Sequence, residues 1–163
     1  MPQPVPRSML FVCTGNICRS PLAEGVFRDL ASPSMLLYSA GLGSWHVGEP
    51  PDLRSIKVAA RHGLGIDSQV CRMVTAGDFS RFDVILGMDH SHVAALERQR
   101  PDGAGARVAL FMQFCPGKQL DVPDPFYGDM SDFEKVYGMV RAAAEDWFKT
   151  AGRASRGQDS SIT

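Results

Sequence analysis

The sequence has no excess of charge of either sign, no long apolar run and few cysteines. Its 163 residues carry 17 lysines and arginines against 18 aspartates and glutamates, which gives a formal net charge of −1. Proteins that bind nucleic acid are usually basic, so this balance argues against a nucleic-acid partner. No apolar stretch approaches the length of a membrane span, and the N-terminus has no signal-peptide apolar region. We therefore expect a cytoplasmic protein with no membrane partner, although export without a signal peptide stays compatible with the sequence.

The four cysteines are too few for a disulfide scaffold in a domain of this size, which favours a reducing compartment. Cys13 and Cys18 do not have the C-x2-C spacing of a zinc site, and no second pair with that spacing follows. His90 and His92 stand at i and i+2, so they would not share a helix face. The chain also lacks a Walker loop and a G-x-G-x-x-G turn. We therefore expect no bound metal.

The alternation of apolar strands and amphipathic helices predicts an α/β fold with an open parallel sheet covered on both faces. The length and the 44% hydrophobic content fit one domain with a real core. The final helix is the clearest element, and its capping box is predicted at Ser131 and Glu134. The predicted strands are residues 9–12, 35–38, 83–88 and 108–112. The predicted divisions are a flexible lead-in over residues 1–8, a single domain over 9–150 and a disordered tail over 151–163.

Residues 9–24 predict a strand, a tight loop and a helix. The strand is the apolar run 9–12, Ser20 is a good helix N-cap, and Pro21 suits the first helical position. A loop that enters a helix N-terminus presents unpaired backbone N–H groups and the positive end of the helix dipole to an anion. The sequence therefore predicts an anion-binding loop between this strand and this helix.

Four residues of the loop indicate its chemistry. Gly15 lets the backbone wrap an anion, and Asn16 tolerates a left-handed backbone conformation. Arg19 can bind two phosphate oxygens with its planar guanidinium. Cys13 lies at the centre of this positive field, where a cysteine reacts as a thiolate. The alternative is a small buried core cysteine, but a nucleophile at the floor of an anion cradle favours attack on phosphorus.

Two further segments carry residues that could line a cleft. The glycine-rich loop before residue 46 contains Trp45, which either folds back on the core or walls a cleft and stacks on an aromatic substrate. The proline-rich loop before the last helix would hold Asp124 rigidly, either as a surface acidic turn or as a proton donor to a phenolic leaving group. Phe126 and Tyr127 beside it would form a second aromatic wall.

Three motifs in this order resemble the low-molecular-weight protein tyrosine phosphatases. They are CTGNICRS at residues 13–20, Ser-Ala-Gly at 39–41, and Asp-Pro-Phe-Tyr-Gly at 124–128. The resemblance covers about residues 9–148. It implies a three-layer αβα fold with a four-stranded parallel sheet, no cofactor, and hydrolysis of phosphotyrosine through a cysteinyl-phosphate intermediate. It also implies phosphotyrosine proteins as partners, with a tyrosine kinase as one candidate, and a monomer or weak dimer.

The resemblance assigns catalytic roles residue by residue. Cys13 would be the nucleophile, with its thiolate steadied by Ser20. Asp124 would be the acid in the first step and would activate water in the second. The phosphoryl group would be bound by loop residues Thr14, Gly15, Asn16, Ile17, Cys18 and Arg19, and the substrate cleft would be lined by Trp45, Phe126 and Tyr127.

The resemblance also assigns supporting roles and shows departures. Asn16 and Ser39 would hold the shape of the loop, and Cys18 would be a redox partner that forms a reversible disulfide with the nucleophile. Gln69 stands where the family often has a histidine beside the loop asparagine, and an amide could supply that hydrogen bond. Phe126 replaces the first tyrosine of a common Tyr-Tyr pair, so that position cannot be phosphorylated.

Two rival functions share part of this pattern. Thioredoxin-linked arsenate reductases have the same loop but need two further cysteines close together. Cys71 and Cys115 are far apart in the sequence, so we expect both to be core residues. A phosphate-binding module without catalysis would have no reason to keep both Cys13 and Asp124. The enzyme interpretation is therefore favoured.

Overall fold

The computed structural model describes residues 5–115 and 120–159, with side chains described as far as residue 151. Strands and helices alternate along these ranges. The elements in chain order are β1 (Ser8–Cys13), α1 (Arg19–Leu30), β2 (Leu36–Gly41), α2 (Leu53–Arg61), α3 (Asp78–Arg81), β3 (Val84–Gly87), α4 (His90–Gln99), β4 (Arg107–Leu110), α5 (Phe111–Phe114) and α6 (Met130–Asp159).

The four strands form one parallel sheet in the order β2-β1-β3-β4. Strand β1 is central: β2, the next strand in the chain, pairs with one edge of it, and β3 pairs with the other edge. Cys13 at the end of β1 pairs with Gly41 at the end of β2, and Val12 pairs with Gly87 at the end of β3. Ligands of open α/β sheets bind at such a reversal, outside the carboxyl ends of the strands. The predicted α/β class and parallel sheet are confirmed.

Both faces of the sheet are covered, which explains why β1 is apolar throughout. Met9 and Phe11 belong to the larger core cluster, whereas Leu10 and Val12 belong to a second cluster on the opposite face. Successive side chains of a strand point to opposite faces, so a strand buried on both sides has no polar alternation. Helices α1 and α6 pack against each other over the larger cluster, and α4 packs against β3 and β4.

A cluster of aromatic side chains packs the long helix α6 against α1 and the sheet. The ring of Phe27 on α1 lies 4.7 Å from that of Phe11 and 6.0 Å from that of Phe111. The Phe27 ring also lies 5.9 Å from that of Trp147 and 5.2 Å from that of Phe148, both on α6. These contacts explain the apolar stripe of the final helix as packing.

Two helix starts differ from the predicted ones. Helix α1 begins at Arg19, and Cys18 occupies its N-cap without a side-chain hydrogen bond, so the predicted cap at Ser20 is wrong. In α6 the carboxylate of Asp129 accepts hydrogen bonds from the amides of Ser131 and Asp132, and the Asp132 carboxylate accepts from the Asp129 amide. The capping box is therefore two residues earlier than predicted, because an Asp-x-x-Asp sequence satisfies the same donors as Ser-x-x-Glu.

Two element ends also differ. The last strand stops at Leu110, and the predicted continuation through Met112 belongs to α5. A short apolar run does not by itself distinguish a strand from a helix. The backbone of α6 continues to Asp159, whereas the sequence predicts a disordered tail from residue 151, and alanine and arginine in this stretch are good helix formers. Residues 160–163 lie outside the described residues, as do residues 1–4 of the predicted lead-in. In the ranges the structure covers, no helix is long and apolar enough to cross a membrane.

Candidate active site

A cleft of about 240 Å³ opens at the carboxyl end of β1, where the loop of residues 13–19 enters α1. It brings together most of the residues singled out from the sequence and one more, His46. Asn16, Ser20 and Ser39 are not among its lining residues and support the loop from behind. The cleft is lined by Cys13, Thr14, Gly15, Ile17, Cys18, Arg19, Trp45, His46, Asp124, Phe126 and Tyr127.

Asn16 fixes the shape of the loop. Its φ of 58° is the left-handed conformation that asparagine was expected to tolerate. Its side-chain amide donates to the hydroxyls of Ser20 and Ser39, each at 2.9 Å, and its Oδ1 accepts from the Arg72 amide at 3.0 Å. Gly41 of β2 allows the loop to come this close, because a Cβ there would lie 3.0 Å from the Asn16 nitrogen.

The thiol of Cys13 lies at the base of the cleft and is only 3% exposed. Its Sγ is 3.0 Å from Ser20 Oγ. Ser20 Oγ already accepts from the Asn16 amide, so the hydroxyl hydrogen is free to donate to the sulfur. A hydrogen bond to a thiolate stabilises the charged, nucleophilic form.

Arg19 is nearly fully buried at 3% exposure and leaves part of its guanidinium available. Nη1 donates to Asp89 Oδ2 at 2.8 Å and to the Val122 carbonyl at 3.0 Å. Nε is buried and has no hydrogen-bond partner among the residues the structure describes. Nη2 lies 3.7 Å from Asp124 Oδ2. A buried donor without a partner is costly, and an oxyanion in the cleft would satisfy it.

Asp89 and His92 are residues of this region that the sequence did not identify as part of the site. Asp89 caps α4, accepting from the amides of Ser91 and His92. Burial alone would raise the pKa of Asp89, but hydrogen bonds from Ser91 and Arg19 outweigh it and hold that pKa at about 2. The position of Asp89 directly after β3 is a signal that could have found it, because the carboxyl ends of parallel strands meet at one edge.

His92 is 1% exposed and contacts the anion-binding loop directly. Its Nδ1 accepts from the Asp89 amide at 3.2 Å, and its Nε2 is 2.9 Å from Thr14 Oγ1 and 3.4 Å from Arg19 Nη2. Burial and the nearby Arg19 charge lower the pKa of His92 to about 4, so the ring is neutral at neutral pH. Within the described residues, no group of three or more His, Cys, Asp or Glu side chains is arranged to hold a metal ion.

The predicted acid and the aromatic residues line the mouth of the cleft. Asp124 is half-exposed, and its Oδ1 accepts from the Phe126 amide at 3.0 Å, which fixes the carboxylate in the turn. Trp45 is 70% exposed and its ring lies over Gly43, so it walls the cleft and does not fold back on the core. The rings of Phe126 and Tyr127 meet edge to face at 5.0 Å.

Comparison with known proteins identifies the family of this chain. The sequence profile of the family described as low molecular weight phosphotyrosine protein phosphatase matches residues 8–156. The chain belongs to the low-molecular-weight protein tyrosine phosphatases. It is 41% identical over 144 residues to the Sus scrofa member, covering 84% of this chain and 90% of that protein. It is 44% identical over 143 residues to the Streptomyces coelicolor member, covering 82% of this chain and 87% of that protein.

A solved structure gives the same result for the fold. The protein tyrosine phosphatase from Entamoeba histolytica, with Hepes in the active site, matches with a TM-score of 0.83 at 33% identity, covering 91% of this chain and 98% of that chain. The protein is therefore a low-molecular-weight protein tyrosine phosphatase, a hydrolase of phosphotyrosine-containing substrates. Members of this family work through a cysteinyl-phosphate intermediate.

Gln69 lies beside the supports of the phosphatase loop. Its Oε1 lies 3.5 Å from Ser39 Oγ, at the limit of a hydrogen bond, and its Nε2 donates to the Pro21 carbonyl at 3.0 Å. Gln69 therefore reaches Ser39 and the first turn of α1. The amide ties two supports of the phosphatase loop together.

The four cysteines of this phosphatase are all free and buried. Burial raises the pKa of Cys18 well above its usual value, so this thiol is protonated at neutral pH. Burial also raises the pKa of Cys71 to about 11, and its Sγ donates to the Asn16 carbonyl at 2.8 Å. Cys71 is buried, as expected of a core residue, yet it also holds the loop. Cys115 is fully buried in the larger core cluster.

Proposed function

We propose that Cys13 is the nucleophile of this phosphatase, and that Arg19 with the amides of residues 14–19 binds the phosphoryl group. The observation that carries the proposal is the buried Nε of Arg19, which has no partner within the described part of the chain, in the same cleft as a buried thiol. An unpaired buried donor costs about 1–3 kcal/mol, and a phosphoryl oxygen removes this cost. The helix dipole and the loop amides add to the same attraction.

In the first step, the Cys13 thiolate attacks phosphorus and the bond from phosphorus to the phenolic oxygen breaks. The electron pair leaves on that oxygen, which needs a proton because a phenol has a pKa of about 10. Asp124 supplies it. Arg19 Nη2, 3.7 Å from Asp124 before substrate binds, turns to the phosphoryl group, and a carboxyl facing a phosphate dianion favours its protonated form.

In the second step, water attacks the phosphorus of the cysteinyl phosphate. Asp124, now a carboxylate, accepts a proton from the water, and the sulfur–phosphorus bond breaks with its electron pair returning to Cys13. The Ser20 hydroxyl stabilises the thiolate that leaves, through the same 3.0 Å contact that prepares it for attack. Inorganic phosphate is released and the enzyme returns to its starting state.

The aromatic mouth of the cleft selects an aryl phosphate. Trp45, Phe126 and Tyr127 can flank a phenyl ring whose phosphoryl group reaches the loop. Exposed rings at a cleft also suit a phosphotyrosine presented by a protein, and a tyrosine kinase is one candidate substrate. The enzyme acts as a single domain that runs from β1 through α6, as a monomer or weak dimer in the cytoplasm. Cys18 forms a reversible disulfide with Cys13 after oxidation.

The test compares aryl phosphates with good and poor leaving groups. Asp124→Asn should lower kcat/KM for phenyl phosphate by about 10²-fold or more, since general acid catalysis contributes that much. The loss for p-nitrophenyl phosphate should be less than about tenfold, because p-nitrophenolate leaves without a proton. Cys13→Ser should abolish turnover of both while inorganic phosphate still binds.

The outcomes are distinct for the two residues. Equal losses on both substrates in Asp124→Asn would remove Asp124 from the role of acid. Retained hydrolysis in Cys13→Ser would remove Cys13 from the role of nucleophile. Either result would leave the membership in the phosphatase family intact and move the assignment to other residues of the cleft.

A further inference from the structure

His92 is a buried histidine for which the steps above give no role. It lies in the first turn of α4, with its ring between the Asp89 amide and the hydroxyl of Thr14. Because Nδ1 accepts from the Asp89 N–H, the neutral ring carries its hydrogen on Nε2. The Nε2–H therefore donates to Thr14 Oγ1 at 2.9 Å. The 3.4 Å approach of Arg19 Nη2 to Nε2 is then a contact between two donors.

The Thr14 hydroxyl receives a second donor on the same side. Arg19 Nη2 lies 3.5 Å from Thr14 Oγ1, so both donors approach the two lone pairs of the oxygen. The hydroxyl hydrogen must then point away from His92 and Arg19. Thr14 is an exposed residue that lines the cleft. The hydroxyl hydrogen therefore points into the space that the phosphoryl group enters.

We propose that Thr14 donates a hydrogen bond from its hydroxyl to the bound phosphoryl group, and that His92 is the positioning residue that fixes this hydroxyl as a donor. The inference rests on the proposed function, since it assigns a side-chain donor to the same phosphoryl site that the loop amides form. His92 does not touch the substrate. It acts through one hydrogen bond, and Arg19 assists it.

The charged groups around His92 suit a neutral ring. Arg19 of α1 faces it, and the carboxylates that act on it are Asp89 at the start of α4 and Asp121 and Asp124 of the loop before α6. A protonated ring would place a second N–H against the Asp89 amide donor, and would add a charge beside Arg19. In the neutral Nε2–H form, Nδ1 accepts from the Asp89 amide and Nε2 donates to Thr14, so the direction of the hydrogen bond to Thr14 does not depend on pH near neutrality.

Two isosteric substitutions separate the roles of the two ring nitrogens. In His92→Gln the side-chain amide nitrogen can take the place of Nε2 and donate to Thr14, whereas His92→Asn can only replace Nδ1 at the helix cap. We expect His92→Asn to lower kcat/KM for p-nitrophenyl phosphate about tenfold, and to raise the inhibition constant of inorganic phosphate similarly, which is the worth of one hydrogen bond to a charged group. His92→Gln should recover most of both losses.

Substitutions of Thr14 test the route of the effect. Thr14→Val should show the same tenfold changes, and Thr14→Ser should recover most of them. In the Thr14→Val background, His92→Asn should cause no further loss, because the two residues act through one hydroxyl. His90→Asn is the matched control: it lies in the same first turn, is exposed, pairs with Asp121 and should change neither quantity.

The results that would overturn the inference are specific. Recovery in His92→Asn and loss in His92→Gln would show that His92 serves only the helix cap. Additive losses in the double variant, or a Thr14→Val enzyme within twofold of the parent, would remove the hydroxyl from the phosphoryl site. All rates are taken as the part abolished by Cys13→Ser, so a failure of the proposed nucleophile appears separately as activity that survives in Cys13→Ser.

Discussion

The low pKa of the buried His92 ring makes the free energy of unfolding depend on pH. Its pKa is about 4 in the folded protein and 6.5 in an exposed chain, so the unfolded state binds more protons between these values. The contribution of the neutral His92 ring to the free energy of unfolding is therefore fully present above about pH 6.5 and is lost as the pH falls toward 4. From pH 7 to pH 5 this group alone should lower the free energy of unfolding by about 2 kcal/mol.

Urea unfolding of the parent and of His92→Gln at pH 7, 6 and 5 checks this. The variant should show a smaller fall in the free energy of unfolding, by about 2 kcal/mol over that interval. Glu24, whose pKa is raised by burial, is present in both proteins, so its effect cancels in the difference, and Asp89, whose pKa is about 2, stays ionised throughout this interval. Parallel curves for the two proteins would mean that His92 can charge without disturbing the fold.

Residue types alone predicted part of the site. The left-handed backbone of Asn16 is confirmed, because few side chains other than glycine adopt it. The roles proposed for Cys13 and Asp124 stay predictions that mutation must test. His92 could not be found in this way, since its partner Thr14 lies 78 residues away in the sequence and only the fold brings them together. The i, i+2 spacing of His90 and His92 argues against a shared metal site but gives no information about that partner.

At the scale of elements, the end of β2 sets the position of the phosphatase loop. A Cβ on Gly41 would lie 3.0 Å from the Asn16 nitrogen and 3.0 Å from the Gly15 carbonyl carbon, both of them backbone atoms. The neighbouring backbone would have to move, and it carries the amides proposed to bind phosphate. Gly41→Ala should therefore lower kcat/KM for p-nitrophenyl phosphate measurably, but by less than about 10²-fold, since the backbone must give by only a few tenths of an ångström and the larger loss belongs to a misplacement of about 1 Å.

Gly138 supplies the matched control for this substitution. It lies within α6, is exposed, and no atom lies within 4 Å of a Cβ built on it. Gly138→Ala should leave kcat/KM unchanged and raise the free energy of unfolding by about 0.5–1 kcal/mol, because alanine loses less entropy in a helix. If Gly41→Ala keeps full activity, the loop is held by Asn16 and its hydrogen bonds and does not depend on close contact with β2.

The elements themselves were largely predictable, because β1, β2 and β3 are apolar runs that end at turn residues. The boundaries were less so. The cap of α6 at Asp129 and the start of α1 at Arg19 depend on which of several suitable residues takes the non-helical conformation, and tertiary contacts decide that. Arg19 is drawn into the first turn of α1 by Asp89 and the Val122 carbonyl, from segments that the sequence alone does not connect.

At the scale of the whole molecule, anion binding should act as a global stabiliser. The fold buries Arg19 Nε with no hydrogen-bond partner in residues 5–115 and 120–159, and a bound oxyanion would supply one. A ligand that binds only the folded state stabilises it by mass action, by about 2.7 kcal/mol at 100 times its dissociation constant. Inorganic phosphate at that concentration should raise the free energy of unfolding by this amount, measured against sodium chloride at equal ionic strength.

Arg19→Lys tests whether this stabilisation arises in the cleft. Lysine keeps a positive charge for Asp89 but lacks the planar fork and the Nε donor, so phosphate affinity should fall at least tenfold. At the same phosphate concentration, the gain in unfolding free energy should then be smaller by more than about 1 kcal/mol. A rival location is the cavity of about 530 Å³ whose lining includes Arg28, Arg72 and Arg81. Equal stabilisation of both proteins would place the bound anion there, because those arginines are unchanged in the variant.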